Sequence, residues 1–324
     1  MTPGLLPVVV LATAALVLVS LLVERLRTVP APPTRASWAT DVPIRHVTVD
    51  GVALRYVVTG EGPPVVLLHT LRTQLDMFQN VVPELARHFR VYALDYPGHG
   101  YSDIPRARYS PELFIGAVAG FLERLGIESV TLAGESIGGT IALVLAARHN
   151  PRVRRVVAIN PYDYDRGRGM RRSSPLARLL MAVNDVPVLG PTVMRLRLPV
   201  VLNQVFRGGV ARAASFPRPL LDELYRTGNR RGHYRAFMSL IHEAAGWEKL
   251  REEYPSIERP VVLLYGDHDW SLPKEREANA ALIPGSRMRV VEHAGHFLSV
   301  DAPDDLVRAI REIGSPVGPE RSEA

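Results

Sequence analysis

The stretch Ser129 to Leu145, SVTLAGESIGGTIALVL, limits what this chain can fold into more than any other. A short apolar, β-branched run enters a glycine-rich turn and leaves it with helical periodicity, so a buried strand must reverse sharply into a helix. Ser136 sits at the turn, within Gly134-Glu135-Ser136-Ile137-Gly138. A serine held in a strained strand-to-helix turn needs neighbours without a Cβ, which Gly134 and Gly138 supply. The helix that follows points its first free N–H groups toward the hydroxyl, where negative charge on a substrate oxygen would meet the positive end of the helix dipole.

Taken alone, Gly-x-Ser-x-Gly also describes a turn that merely needs small residues. Two further stretches change the weighing. Residues 260 to 273, PVVLLYGDHDWSLP, read as a buried strand ending in an acidic turn, and residues 287 to 300, RMRVVEHAGHFLSV, as a strand ending in a histidine-bearing loop. Ser136, Asp269 and His296 thus each follow a separate strand, in that chain order.

With these motifs the sequence resembles the α/β-hydrolase superfamily, in which nucleophile, acid and histidine come in the same order. The resemblance covers residues 45 to 315 and rests on four motifs: the serine turn, the Gly-Asp-x-Asp acid loop, the Gly-His-Phe loop, and a Pro-Gly-x-Gly turn in residues 89 to 103, FRVYALDYPGHGYSD. It implies an α/β fold with a mostly parallel eight-stranded sheet flanked by helices and carrying an inserted helical cap. It also implies Ser136 as nucleophile, His296 as base and Asp269 as the acid that orients it, with Asp267 and His293 as near misses read as loop or surface residues. In the family a His-Gly pair precedes the residue whose backbone N–H forms half of the oxyanion hole. Here the run is His69-Thr70-Leu71, so the resemblance assigns the two donors to Leu71 and Ile137, with Thr70 as a departure. His69, Asp95 and Ser102 read as structural.

The rest of the chain fits around these motifs. Residues 45 to 60 alternate as two strands about Asp50-Gly51, a hairpin signal, and 64 to 69, PVVLLH, form an all-apolar run expected of a strand buried on both faces. Ser110-Pro111-Glu112 opens a helix that runs to Gly126, 137 to 149 form the helix behind the serine, and 153 to 160 the next strand. Strand–helix alternation then lapses, and residues 162 to 250, punctuated by five prolines between 187 and 219, suit a cap of short helices. That segment carries fourteen arginines and one lysine against seven acids, more than the whole chain's excess of +6. Residues 251 to 315 complete the core, with helices over 274 to 283 and 302 to 313, and 316 to 324 read as a disordered tail.

Residues 5 to 23 are almost all Leu, Val and Ala, with no charge and only Pro7, Thr13 and Ser20 as interruptions. Nineteen such residues are long enough for a transmembrane helix. The rival is a secretory signal, but no Lys or Arg precedes the run and no small-residue cleavage site follows it. The expectation is an anchor over residues 1 to 27, then a Pro-rich spacer over 28 to 44 in which Trp38 rests at the membrane interface or packs on the domain edge. Arg25, Arg27 and Arg35 after the run place the catalytic domain on the cytoplasmic face by the positive-inside rule.

Composition excludes more than it selects. The chain has no cysteine, which removes disulfides, thiolate catalysis and Cys-ligated metal. Its basic excess is almost wholly arginine, with Lys249 and Lys274 the only lysines, and no nucleic-acid-binding signature accompanies it. No cofactor, metal or nucleic-acid partner is expected; the expected partners are a small or lipid-like ester and the membrane through the N-terminal helix, while the basic cap reads either as a solvated arginine face over an ordinary core or as a second contact with anionic headgroups.

Ester hydrolysis through an acyl-serine is the activity the resemblance implies. A serine nucleophile disfavours the family members that open epoxides or displace halide, and leaves thioester, lactone, amide and carbon–carbon hydrolysis open. A reading from another class is a non-hydrolytic, membrane-anchored ligand-binding or accessory protein on the same fold, motivated by Thr70.

Overall fold

The computed structural model describes residues 5–314, so the expected tail over 316–324 lies outside the described residues. Nine strands form one sheet: β1 (Arg35–Ala36), β2 (Ala39–Val49), β3 (Val52–Thr59), β4 (Pro64–Leu68), β5 (Arg90–Leu94), β6 (Val130–Glu135), β7 (Val153–Ile159), β8 (Val261–Gly266) and β9 (Arg287–Val291). Their order is β1-β2-β3-β5-β4-β6-β7-β8-β9, antiparallel from β1 to β5 and parallel from there on. The eight expected strands are β2 to β9, and two-residue β1 is added at the edge. β2 and β3 turn at Asp50-Gly51, both with positive φ, as a two-residue hairpin requires.

The central strands are apolar throughout because both faces of the sheet are covered. Val66 and Leu68 of β4, Leu132 of β6 and Leu263 of β8 face one apolar layer, with the helices Pro111–Arg124 and Ile137–Ala147. Their neighbours Val65, Leu67, Ala133 and Leu264 face the other, closed by the helix Pro303–Gly314. Between β7 and β8 the chain leaves the sheet for the cap, whose main helices are Pro175–Asn184, Leu189–Leu196, Pro199–Arg207, Arg218–Gly228 and His233–His242. Proline stands at the first turn of several of them, where its missing N–H costs nothing.

The N-terminal helix spans Leu5–Leu26, and its segment Pro7–Leu26 is long and apolar enough to cross a membrane. Most of its side chains are exposed, but its last turn is not free. Glu24 is buried against the cap, where its Oε1 accepts from the Gly232 N–H at 2.7 Å and its Oε2 pairs with Arg197 at 2.5 Å. Arg27 donates from Nη2 to the carbonyls of Arg195 and Leu196, each at 2.8 Å. The spacer is correspondingly shorter than expected: only residues 27–34 lack regular structure, and β1 and the first residues of β2 come from the stretch assigned to it. Pairing explains the difference, since this Pro-rich segment forms an edge, where a missing N–H is tolerated. Trp38 lies half-buried at that edge and donates to Asp76 Oδ1 at 2.9 Å, the second of its two expected placements.

Candidate active site

β6 delivers Ser136 into a backbone conformation of φ 59° and ψ −120°, one that non-glycine residues rarely adopt. The turn holds because it is crowded. A Cβ on Gly134 would lie 2.1 Å from the Gly138 carbonyl oxygen, and one on Gly138 would lie 2.3 Å from that of Leu68. Ser136 N donates to the Ile159 carbonyl at 2.8 Å, tying the turn to the adjacent strand end.

Asp269 and His296 come from the loops after β8 and β9, and the three side chains meet. Ser136 Oγ lies 2.9 Å from His296 Nε2, and His296 Nδ1 lies 2.5 Å from Asp269 Oδ1. Serine and histidine are fully buried. Burial opposes charge on Asp269, but the His296 imidazole and two donors from Ser271 outweigh it and hold the carboxyl below its ordinary range. An ionised Asp269 accepts the Nδ1 proton, so the neutral imidazole turns its Nε2 lone pair to the serine hydroxyl. Asp267 belongs to the loop: its Oδ1 accepts from the Ala294 N–H at 3.0 Å and pairs with the exposed His268. His293 is exposed.

The N–H groups of Leu71 and Ile137 donate to no protein acceptor among the described residues. Thr70 keeps an ordinary φ, and the left-handed turn falls instead on Arg72, φ 56°. The Thr70 carbonyl accepts from His69 Nδ1 at 2.7 Å and Thr73 Oγ1 at 2.9 Å, while His69 Nε2 accepts from the Tyr96 N–H at 3.2 Å. Burial pushes His69 down to about 3, so it is a neutral brace for this loop. The β-branched substitution is thereby accommodated without a positive φ.

A chamber of about 220 Å³ lies between core and cap, bounded by Leu71 and Trp270 below and by Met181, Leu202, Phe206 and Phe237 above. Its walls are overwhelmingly apolar. Among the described residues, no group of three or more His, Asp or Glu side chains converges to hold a metal.

A model of the alpha/beta hydrolase fold family matches residues 63–303, about three quarters of the chain. The chain belongs to this family. Its relatives include the 2-hydroxy-6-oxo-2,4-heptadienoate hydrolase of Pseudomonas putida, 26% identical over 83% of this chain and 95% of that one. Among solved structures, Cfl2 from Burkholderia cenocepacia superposes with a TM-score of 0.74 at 26% identity, covering 87% of this chain and 99% of that one. The enol-lactonase from Burkholderia xenovorans LB400 superposes at 0.66 and 25% identity, covering 84% and 100%. The P. putida relative and the enol-lactonase are both named for hydrolytic reactions, which supports a hydrolase in the broad sense.

Several residues that position this site carried no separable sequence signal. Trp270 stacks on the His296 ring, 3.8 Å between centroids and 13° between planes. Asn160 donates to the carbonyls of Gly295 and His296, both at 3.0 Å, and accepts from the Gly266 N–H, so one side chain joins the ends of β7 and β8 to the histidine loop. Asp301 Oδ2 accepts from Gly295 N and from Ala211 N in the cap. Glu135, inside the hydrolase serine motif itself, accepts from the Ser299 N–H and hydroxyl at 2.9 Å, and burial pushes it up to about 7. Only its place beside Ser136 hinted at a role.

Proposed function

We propose that this protein is a membrane-tethered serine hydrolase that cleaves a carboxylic ester, thioester or lactone of a small lipophilic substrate through an acyl-serine. The observation that carries the reading is the continuous chain from Asp269 through His296 to Ser136, 2.5 and 2.9 Å long, beside an apolar chamber whose lining includes Leu71 and Trp270, the latter stacked on His296. His296 takes the hydroxyl proton as Ser136 Oγ attacks the carbonyl carbon, and Asp269 stabilises the imidazolium that forms. The tetrahedral oxyanion is held by the Ile137 and Leu71 N–H groups, which have no protein acceptor to compete with it. His296 then protonates the leaving group, and water, activated by the same imidazole, releases the acyl group.

The N-terminal helix supports the tether. The cap exposes Leu179, Val186, Val188, Leu189, Leu198 and Val200, the last 70% accessible, and the N-terminal helix packs on the cap helix Leu189–Leu196. Leu198 also lines the chamber, so the chamber wall is continuous with this apolar rim. An apolar rim next to a membrane-crossing helix suits partition of a lipophilic substrate from the bilayer. Arg25, Arg27 and Arg35 after the helix support the cytoplasmic face for the domain.

The test is turnover of p-nitrophenyl butyrate by the full chain in neutral detergent. Hydrolysis that disappears in Ser136→Ala is expected, and equal turnover by both proteins contradicts the reading. A second reading, hydrolysis of a carbon–carbon bond by the same triad, is favoured by the P. putida relative, whose stated substrate is an oxo-dienoate. Turnover of such a compound with no turnover of esters would select it.

A further inference from the structure

One corner of the chamber departs from its apolar lining. Arg72, directly after Leu71, lines the chamber and is more than nine-tenths buried. Its Nη1 lies 3.4 Å from His233 Nδ1, and its guanidinium stands 5.2 Å from the Phe237 ring centroid. Burial drives His233 well below its ordinary range, so it is a neutral acceptor that brings no charge. No carboxylate of the described residues pairs with Arg72, and its Nε and Nη2 donate to none of them. Gly228 makes room for it: a Cβ there would stand 3.0 Å from Nη2.

The surroundings add positive charge. Arg197 lines the same chamber and shares the single carboxylate of Glu24 with Arg27, while its Nη1 is buried without a partner. Asn184 also lines the chamber, and both polar atoms of its carboxamide are buried without a partner. Burial, then Arg197 and Arg27, push Arg72 down to about 9. A guanidinium buried without a counter-charge is expensive, and one planar carboxylate engaging its open edge bidentately would offset that cost.

We propose that Arg72, with Arg197 and Asn184 of the same chamber lining, forms a carboxylate-binding subsite, and that the substrate is an ester or lactone whose hydrocarbon body carries a free carboxylate. The reacting carbonyl lies at Leu71 and Ile137 and the carboxylate at Arg72, one residue further along the same loop. This deepens the hydrolase reading and rests on it for the position of the scissile bond.

Binding to the full-length Ser136→Ala protein in neutral detergent tests the subsite without turnover. The probes are monomethyl adipate and dimethyl adipate, the same ester with and without a free carboxylate. Calorimetry should give a dissociation constant at least ten-fold lower for the monoester, a preference lost when Arg72→Gln is added and partly kept with Arg72→Lys. Equal affinities, no measurable binding of the monoester, or a preference that survives Arg72→Gln overturns the proposal. The parent comparison stands even if Arg72→Gln fails to fold, which a thermal melt reveals. Fluorophosphonate labelling of the unmutated protein separates the two readings: labelled Ser136 with equal affinities refutes the subsite alone, and unlabelled Ser136 with a clear monoester preference refutes the hydrolase reading alone.

Discussion

Arg55 in the core and Arg72 beneath the cap are both buried arginines, and their surroundings are opposite. Arg55 Nη1 lies 3.0 Å from a carboxylate oxygen of Asp76 and equally far from one of Asp95, and although burial opposes its charge, these acids raise its pKa. Asp95 also accepts from the N–H groups of Leu75 and Tyr101, so this cluster fixes the loops after β4 and β5. Arg72 has no such acid, and near it Arg197 and Arg27 share one glutamate. A buried charge that is closed by its own protein holds a fold together. One left open toward a chamber is a place for a ligand. A related contrast separates two other places: the core pairs His296 with Asp269, whereas beneath the cap Arg197 Nη1 and the Asn184 carboxamide stay without partners and the cap exposes an apolar rim.

The largest effects are expected where the core does chemistry. Ser136→Ala or His296→Ala should lower ester turnover by at least ~10³-fold with the melting temperature retained, since members of a triad fail together. Stopped assays on purified variants check this; a change under ten-fold breaks the assignment of catalysis to the core. Asp269→Asn should cost at least ~10²-fold in kcat, and Asp267→Asn far less, because only Asp269 reaches His296. The reverse ranking would move the acid to the other side of the loop.

Next come the charges. Arg55→Met leaves Asp76 and Asp95 buried without their cation and should destabilise the protein by about 3–5 kcal/mol in urea unfolding. Glu24→Gln, at the cap's edge, should cost about 1 kcal/mol and appear mainly as faster proteolysis within residues 189–232. Equal losses would mean that cap and core unfold as one unit and that the contrast is not energetic. The smallest effect is a slope. Folded Glu135 keeps its proton up to about pH 7, against an ordinary value of 4.5, so its contribution to stability is present below pH 4.5 and is lost as pH rises through 7. Thermal melts of Glu135→Gln should therefore fall less steeply with pH across that window than those of the parent protein.

The fold and the triad were legible because they depend on local pattern. Buried parallel strands write continuous apolar runs, and a strained serine turn demands glycines at fixed offsets, so β4, β6, β8 and Ser136 could be read residue by residue. Asp269 was separable from Asp267 only through resemblance, as both end the same strand. The residues that could not be read act across the chain: Asn160 joins three segments, Trp270 stacks on a histidine 26 positions away, and Glu24 meets Arg197. Glu24 belongs to a helix whose composition speaks only of lipid, and nothing local announces that its last turn docks on the cap. A protein lacking residues 1 to 28 therefore loses the partner of Arg197.

The most direct measurement is reaction of the full-length protein with a fluorophosphonate, which phosphonylates a serine only where a base activates it. Intact-mass and peptide analysis should find one adduct, on the peptide containing Ser136, and none in His296→Ala. An unmodified Ser136, or an adduct that forms equally well without His296, would contradict the account.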